Sequence, residues 1–311
     1  MTETAIVPVD TALPAAGRDW SEADRDALSR AVLALERPGL AARLSAAVGK
    51  PLDLIGRALP APITEVVAKG TEAAMRAALR VALATLPKDR LPSEPAPAPA
   101  GTFRMLAFPT RLATPEFAHR ALAAASGAIG GALGLATLAI ELPVSTTIML
   151  RAIADIARRE GEDLADPEAA LACVQVFALG GGRGAPSLAD SGYFAVRGAL
   201  ARTMTEATRV LVQRGLADET TPALLRFAAQ VAARFGVVVS QKAAAQAVPI
   251  VGALGGAAIN AAFLDHFQTV ASGHFTVRRL ERVYGREAVQ AAYEAERDRL
   301  DGVPAGAAKA A

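Results

Sequence analysis

The chain has 311 residues and a formal net charge of +2, so it lacks the strong positive field that nucleic-acid binding needs. A chain of this length can bury a substantial core, as one large domain or two ordinary ones. Hydrophobic residues make up 52% of it and aromatic residues only 5%, which favours helices of Ala and Leu over strands and predicts an all-α fold.

The N-terminal part predicts an arm followed by three helices. Residues 1–18 are small, contain two prolines and have no periodicity, which predicts a disordered arm without the apolar core of a secretory signal. A cytoplasmic location follows from that interpretation. An N-terminal helical region is expected over 19–86, with helices at 19–37, 40–59 and 63–86, where prolines and apolar spacing mark the ends.

A Pro/Ala-rich tract marks the one strong internal boundary. Residues 87–114 begin PKDRLPSEPAPAPAG, a composition typical of an extended linker. The tract either separates two regions or loops out from one compact fold. The main helical bundle is predicted over 115–300, and residues 301–311 are predicted to be a disordered tail.

The helices of the main bundle are predicted from residues that favour helix starts and helix ends. Thr114-Pro115-Glu116 and Asp166-Pro167-Glu168 each offer an N-cap, a proline at the first position and an acid in the first turn. The first of these helices is expected to end at Glu141, and Pro143 to open the next. No segment alternates with period two, so we predict a bundle of about nine helices and no sheet.

Two small-residue segments are expected at the centre of the bundle. GALG occurs at 131–134 and again at 252–255, within the helical stretches 121–140 and 243–283. Small residues four apart allow helix backbones to approach closely. The helix-packing positions are Gly127, Gly131, Gly134, Gly252 and Gly256.

Both segments also raise the question of a membrane. Residues 121–140 are uncharged and long enough to span a bilayer, but eight alanines and four glycines make insertion marginal. Residues 249–264 rise only about 24 Å, short of the roughly 30 Å of hydrocarbon. Two interpretations stay open: a soluble bundle, or a protein at the membrane surface with Arg278, Arg279 and Arg282 facing anionic lipid.

Several segments together resemble the EcsC family of bacterial proteins. They are ERPGLAARLSAAVGKPLD at 36–53, IELPVSTTIMLRAIADIARREGEDL at 140–164, FALGG at 177–181, DSGYFAVRGAL at 190–200 and PIVGALGGAAINAAFLDHFQTVASGHFTVRRLERVYG at 249–285. The resemblance covers most of residues 20–285. It implies a mainly helical protein, from a family named for an operon with an ABC transporter linked to secretion and membrane processes. A peptidase label is attached to some such proteins, and no protease motif here supports it.

Sequence motifs of common enzyme and metal sites are missing. There is no GxSxG, P-loop or HExxH pattern, and the single Glu116-x-x-His119 lacks the second copy that a di-iron bundle needs. The only cysteine, Cys173, excludes an internal disulfide and lies in the apolar run LACVQVF, which favours buried packing. We therefore predict no cofactor and no metal.

The polar residues that need an explanation form two groups. Asp265, His266 and His274 are candidates for acid–base chemistry, with Glu141 a further candidate, although the two histidines lie about 12 Å apart along a straight helix. A polar core is expected from Arg151, Asp155 and Asp190, with Arg151 and Asp155 able to pair at four residues' distance. Glu141 ends a helix, where the dipole disfavours a carboxylate, so we expect it to have a partner, from Arg151 or from residues 265–282.

The function expected from these observations is a non-enzymatic accessory or interaction factor at the cytoplasmic face of the inner membrane. Its partners would be the membrane surface or a membrane protein, and not nucleic acid. The alternative is a hydrolase or metal-dependent enzyme that uses the polar segment around Asp265, His266 and His274.

Overall fold

The fold is all-α, as predicted. The computed structural model describes residues 19–36, 61–86, 138–181, 192–214, 221–246 and 253–302. Within these ranges the chain forms helices and no strand. The helices are α1 (Glu22–Glu36), α2 (Ala61–Leu83), α3 (Leu138–Arg159), α4 (Pro167–Leu179), α5 (Tyr193–Arg214), α6 (Pro222–Gln246), α7 (Ala253–Tyr284) and α8 (Arg286–Asp301).

Helix α7 is the central element of the described bundle. It contacts α1, α3, α4, α6 and α8 along its length. Its rings join a buried aromatic cluster in which Phe267 lies 5.3 Å from Phe177 and 5.6 Å from Phe235, centroid to centroid. Burying a side chain of this size contributes about 1.5–3 kcal/mol. Four of the ten phenylalanines thus lie together where α4, α6 and α7 meet: Phe177, Phe235, Phe263 and Phe267.

Helix α4 is buried on every side. All its residues from Ala169 to Leu179 are buried. Asp166 caps its start by accepting a hydrogen bond from the Glu168 amide at 3.0 Å, which confirms the predicted start signal. Cys173 is also confirmed as a packing residue, since burial raises the pKa of its thiol to about 12.

The predicted helix boundary at Pro143 is wrong. Helix α3 runs through Pro143 without a break. The proline removes one backbone hydrogen bond near the start of the described helix, where the loss is smallest. Contacts on both sides of it hold the helix, because Leu142 is fully buried and Thr147 Oγ1 donates to the Pro143 carbonyl at 2.8 Å.

The predicted boundary at 87–114 does not separate two packing units. Helix α2, which precedes it, packs on α3, α4 and α6, and α1 packs on α7 and α8. Met75 of α2 and Phe267 of α7 belong to one hydrophobic core. The predicted helix 40–59 and the tract itself lie outside the described residues.

The predicted central stretch 243–283 is divided between two helices, since α6 ends at Gln246 and α7 begins at Ala253. The packing positions Gly127, Gly131, Gly134 and Gly252 lie outside the described residues, and Gly256 lies in the first turn of α7. Among the described helices, α6 is long and apolar enough over Pro222–Ala245 to cross a membrane. Half of its apolar window is buried in the fold, as in a core helix, so it is weak support for a span.

Candidate functional site

The candidate site is a partly open cavity of about 940 Å³, lined by residues of α4, α5, α7 and α8 and by Glu36 of α1. Cavities of this size bind small molecules in other proteins. Helix α5 supplies one wall, because residues three or four apart share a helix face. The wall residues of α5 include Tyr193, Arg197, Ala201, Met204, Thr208 and Val212.

Four side chains from α5 and α7 form a hydrogen-bonded wall network: Tyr193, Arg197, His274 and Glu281. The Tyr193 hydroxyl lies 2.8 Å from His274 Nδ1, and Arg197 Nη1 donates to the Tyr193 oxygen at 3.2 Å. Arg197 also forms a bidentate pair with Glu281, with bonds of 2.8 Å and 2.9 Å. Bidentate charged pairs are among the strongest and most directional hydrogen bonds in proteins.

Burial determines the protonation states in the wall network. Burial, together with the positive charges of Arg197 and Arg278, lowers the pKa of His274 well below its ordinary value. Burial also raises the pKa of Tyr193 above its ordinary value. At neutral pH the tyrosine is therefore a donor to a neutral imidazole, and His274 Nδ1 is the acceptor. The imidazole proton then lies on Nε2, a buried atom for which the described residues provide no hydrogen-bond partner.

A second aromatic layer supports the network from α8. Tyr293 stacks on Tyr193 with ring centroids 5.5 Å apart and an interplanar angle of 26°. Its hydroxyl donates to Glu36 Oε1, at the end of α1, at 2.9 Å. Three distant parts of the chain are thus joined at one wall of the cavity.

Several other polar groups of the cavity lining form no hydrogen bond or ion pair with the described residues. Gln175 is only 3% exposed, and its amide makes no hydrogen bond within the described residues. The Thr208 hydroxyl is buried and has no hydrogen-bond partner in the described part of the chain. Arg209 and Arg286 line the cavity from α5 and α8, and neither pairs with a described residue. These groups are available to a ligand.

The predicted segment 265–274 does not form one site. His266 Nε2 lies 2.6 Å from the carbonyl oxygen of Gly180, where it caps the C-terminal end of α4. Asp265 is half-buried, and neither it nor His266 lines the cavity. His274 does not line the cavity either, but its Nδ1 atom lies 2.8 Å from the hydroxyl of Tyr193, which does. No cluster of metal-ligating side chains occurs among the described residues.

Glu141 has the partner that its position predicted, but from a different helix. Lys242 of α6 donates to Glu141 Oε1 at 2.6 Å, and both side chains are buried. We call these two residues the core pair. Burial lowers the pKa of Lys242, while the charge and hydrogen bond of Glu141 act in the opposite direction. The expected partners, Arg151 or a residue of 265–282, are thus replaced by a lysine that stands in an apolar stretch.

The predicted polar core is not found at Arg151 and Asp155. Arg151 is exposed and Asp155 half-buried, and Arg158 Nη1 donates to Asp155 at 3.0 Å. Arg151, Asp155 and Cys173 line a second, smaller cavity of about 420 Å³. Asp190 lies outside the described residues. Among the described residues, the ion pair with both side chains buried is instead the core pair.

The three arginines predicted to face lipid are held in ion pairs within the protein. Arg278 donates to Glu162 at 2.9 Å and Arg279 to Glu160 at 2.9 Å, and Arg282 also pairs with Glu162. Arg279 further reaches Asp24 of α1 at 2.9 Å. These ion pairs join α1 and the turn after α3 to α7. The acidic partners therefore offset much of the positive charge of the three arginines.

Sequence reasoning missed Tyr193, Arg197, Glu281 and Lys242. One local signal was present, since Tyr193 and Arg197 stand four apart in DSGYFAVRGAL and so share a helix face. Nothing local connects them with His274, which lies 81 residues further along the chain.

Comparison with known proteins gives a family and no individual relative. No curated protein and no solved structure matches the chain. The model of the EcsC protein family matches residues 24–280, which extend from α1 to the last turns of α7 and include the core pair and most of the cavity wall. The chain therefore belongs to the EcsC protein family.

Proposed function

We propose that this EcsC-family chain is a ligand-binding accessory protein, whose cavity between α4, α5, α7 and α8 takes up a small polar molecule or headgroup. The observation that supports this most is the cavity of about 940 Å³, whose lining includes the buried Thr208 hydroxyl, a group without a hydrogen-bond partner among the described residues. A buried polar group without a hydrogen bond costs roughly 1–3 kcal/mol. A ligand that supplies the missing partners recovers that free energy.

The wall network supports binding and not proton transfer. A general base needs a pKa near the working pH, whereas burial moves the pKa of His274 downwards and that of Tyr193 upwards. Both groups then keep one protonation state near neutral pH. Their role is to hold Arg197 and Glu281 in place at the cavity wall.

The proposed place of action is the cytoplasmic face of the membrane. The resemblance to the EcsC family, which implies an operon with an ABC transporter, motivates this proposal, and α6 offers a weak apolar signal. Arg278, Arg279 and Arg282 form ion pairs within the protein, which favours a recruitment that does not depend on their contact with lipid. Recruitment by a membrane protein partner is therefore proposed, because it does not require a basic surface that binds lipid.

Gly198 offers a direct test of the cavity. It lies within α5, lines the cavity, and a Cβ added there meets nothing within 4 Å. Gly198→Leu should fill space without straining the fold, while Gly198→Ala is the matched control that leaves the cavity open. Both should raise helix stability by up to about 1 kcal/mol.

The measurement is a thermal-shift screen of both variants against organic acids, sugar phosphates, nucleotides, amino acids and polyols. A true ligand at 100 times its Kd stabilises by about 2.7 kcal/mol. We expect at least one class to raise the Tm of wild type and Gly198→Ala, and not of Gly198→Leu. If no compound separates the two variants, the cavity is not a binding site.

The membrane part is tested by flotation with phosphatidylglycerol and phosphatidylcholine vesicles at low and high salt. A protein recruited through a membrane protein partner should bind neither vesicle. Salt-sensitive binding to phosphatidylglycerol alone would instead show a basic surface, and salt-resistant binding would show insertion of apolar helices.

A further inference from the structure

We infer that the ligand of the cavity carries an oxyanion, of the phosphate or carboxylate class, held between Arg209 of α5 and Arg286 of α8. This inference rests on the proposed function, since it names the chemistry of the molecule in the same cavity. The two arginines approach the cavity from different walls, which is the arrangement that clamps a charged oxygen group.

The other charged side chains of the lining have partners within the fold. Five arginines and four glutamates line the cavity. Arg197 pairs with Glu281, and Arg278 reaches Glu168 at 3.3 Å and Glu162 at 2.9 Å. Each of these pairs offsets its own charge, so neither arginine attracts a further anion strongly.

The remaining glutamates also have donors. Glu36 accepts the Tyr293 hydroxyl, and Glu294 accepts a hydrogen bond from Gln290 at 2.9 Å. Both carboxylates raise the pKa of Arg297, after the larger effect of its hydrogen bond to Asp298. The positive charge of Arg297 therefore acts on Glu36 and Glu294 as well as on Asp298.

Arg209 and Arg286 are the lining charges left over. Both are exposed and line the cavity, and neither forms an ion pair or hydrogen bond with a described residue. A guanidinium presents five N–H donors in a planar fork that matches carboxylate and phosphate oxygens. Two guanidinium groups that line one cavity favour the binding of an anion.

Two neutral features lie in the same lining. Gln175, 3% exposed and without a partner among the described residues, can donate from its amide at the inner side of the cavity. Helix α8 begins at Arg286 after Gly285, and no side chain caps its first turn. The free amides of a helix start favour an anion, and here they stand beside an unpaired arginine.

The inference is tested by titrating the full chain with pyrophosphate, glycerol phosphate and citrate, in parallel with phosphatidylglycerol and phosphatidylcholine vesicles. The variants are Arg209→Gln, Arg286→Gln and the double variant. Arg25→Gln is the matched control, because Arg25 is exposed, without a described side-chain partner and outside the cavity. Each single change removes one surface charge and the double variant removes two, and none of them alters the core.

We expect at least one soluble oxyanion to bind wild type and Arg25→Gln equally, to bind each single cavity variant about tenfold more weakly, and to lose binding in the double variant. A glutamine in place of either arginine removes one charge-assisted contact, of the order of one tenfold step in Kd. Binding of phosphatidylglycerol vesicles alone, lost in the double variant, would identify a lipid headgroup as the source of the oxyanion.

Equal binding by wild type and the double variant would overturn the inference, as would equal weakening by Arg25→Gln. Failure of every anion to bind would overturn it too. The proposed function is decided separately, because a neutral compound that distinguishes Gly198→Ala from Gly198→Leu would leave the cavity a binding site for an uncharged ligand.

Discussion

The core pair and the wall network are both buried and charged, but they differ in what surrounds them. Lys242 is fully buried and lies 4.9 Å from the centre of the Phe263 ring, so the core pair is enclosed by apolar groups. The wall network has one side on a large polar cavity. The comparison shows that a buried charge by itself does not indicate a binding site. A charged group beside a cavity can contact a ligand, whereas one surrounded by packed side chains only stabilises the fold.

The largest effect is expected from the core pair. Lys242→Met should lower the free energy of unfolding by about 3–5 kcal/mol, because it leaves the Glu141 carboxylate buried without a partner. The double variant Glu141→Leu/Lys242→Met should be within about 1 kcal/mol of wild type or more stable. Urea denaturation measures both.

Equal loss in the single and double variants would mean that packing at these positions, and not the isolated charge, sets their stability. In that case the proposed contrast with the wall network would fail. Unchanged stability of Lys242→Met would show that water reaches Glu141.

A smaller loss is expected at the wall network. Glu281→Gln keeps the shape of the side chain and removes its charge, so unfolding free energy should fall by about 1.5–3 kcal/mol. Water in the cavity can solvate part of the Arg197 guanidinium, which makes the loss smaller than in the core. Glu287→Gln is the control, since Glu287 is exposed and outside the lining, and it should change stability by less than about 0.5 kcal/mol.

A loss at Glu281 as large as that at Lys242 would show that the cavity does not solvate the network. Denaturation with urea again provides the measurement, and the same preparations can be titrated with ligand. An intact fold with weakened ligand binding in Glu281→Gln would place Arg197 in direct contact with the ligand.

The smallest effect is a dependence of stability on pH that only the wall network should show. Since the pKa of His274 is lower in the folded than in the unfolded protein, neutral His274 contributes stability above about pH 6.5, and this stability is lost as the pH falls towards the folded pKa. The slope is at most about 1.4 kcal/mol per pH unit. Unfolding should be measured between pH 7.5 and 5.5.

His274→Gln provides the control, because its amide oxygen can still accept from Tyr193 while the group no longer titrates. Its stability should be nearly independent of pH over this range. The carboxylates with lowered pKa, Asp24, Glu162 and Glu296, lose their contribution only below their ordinary range near pH 4. A wild-type profile as flat as that of the variant would contradict a neutral, buried His274.

Local signals in the sequence predicted the helices well and the site poorly. The cap at Asp166, the buried Cys173 and the absence of strands in the described residues all follow from spacing and propensity. The break expected at Pro143 was wrong, because tertiary contacts of Leu142 and Glu141 hold α3 across it. Propensity is a weak preference that packing overrides.

The sequence by itself determined the all-α fold class and the EcsC family, since both depend on patterns that run along the chain. Only the tertiary structure decided the partners of the charged residues. Glu141 meets Lys242 across 101 positions, and Arg197 meets Glu281 across 84. Helical periodicity indicates which side chains face inward, but the packing of one helix on another determines which of them meet and which are left facing a cavity.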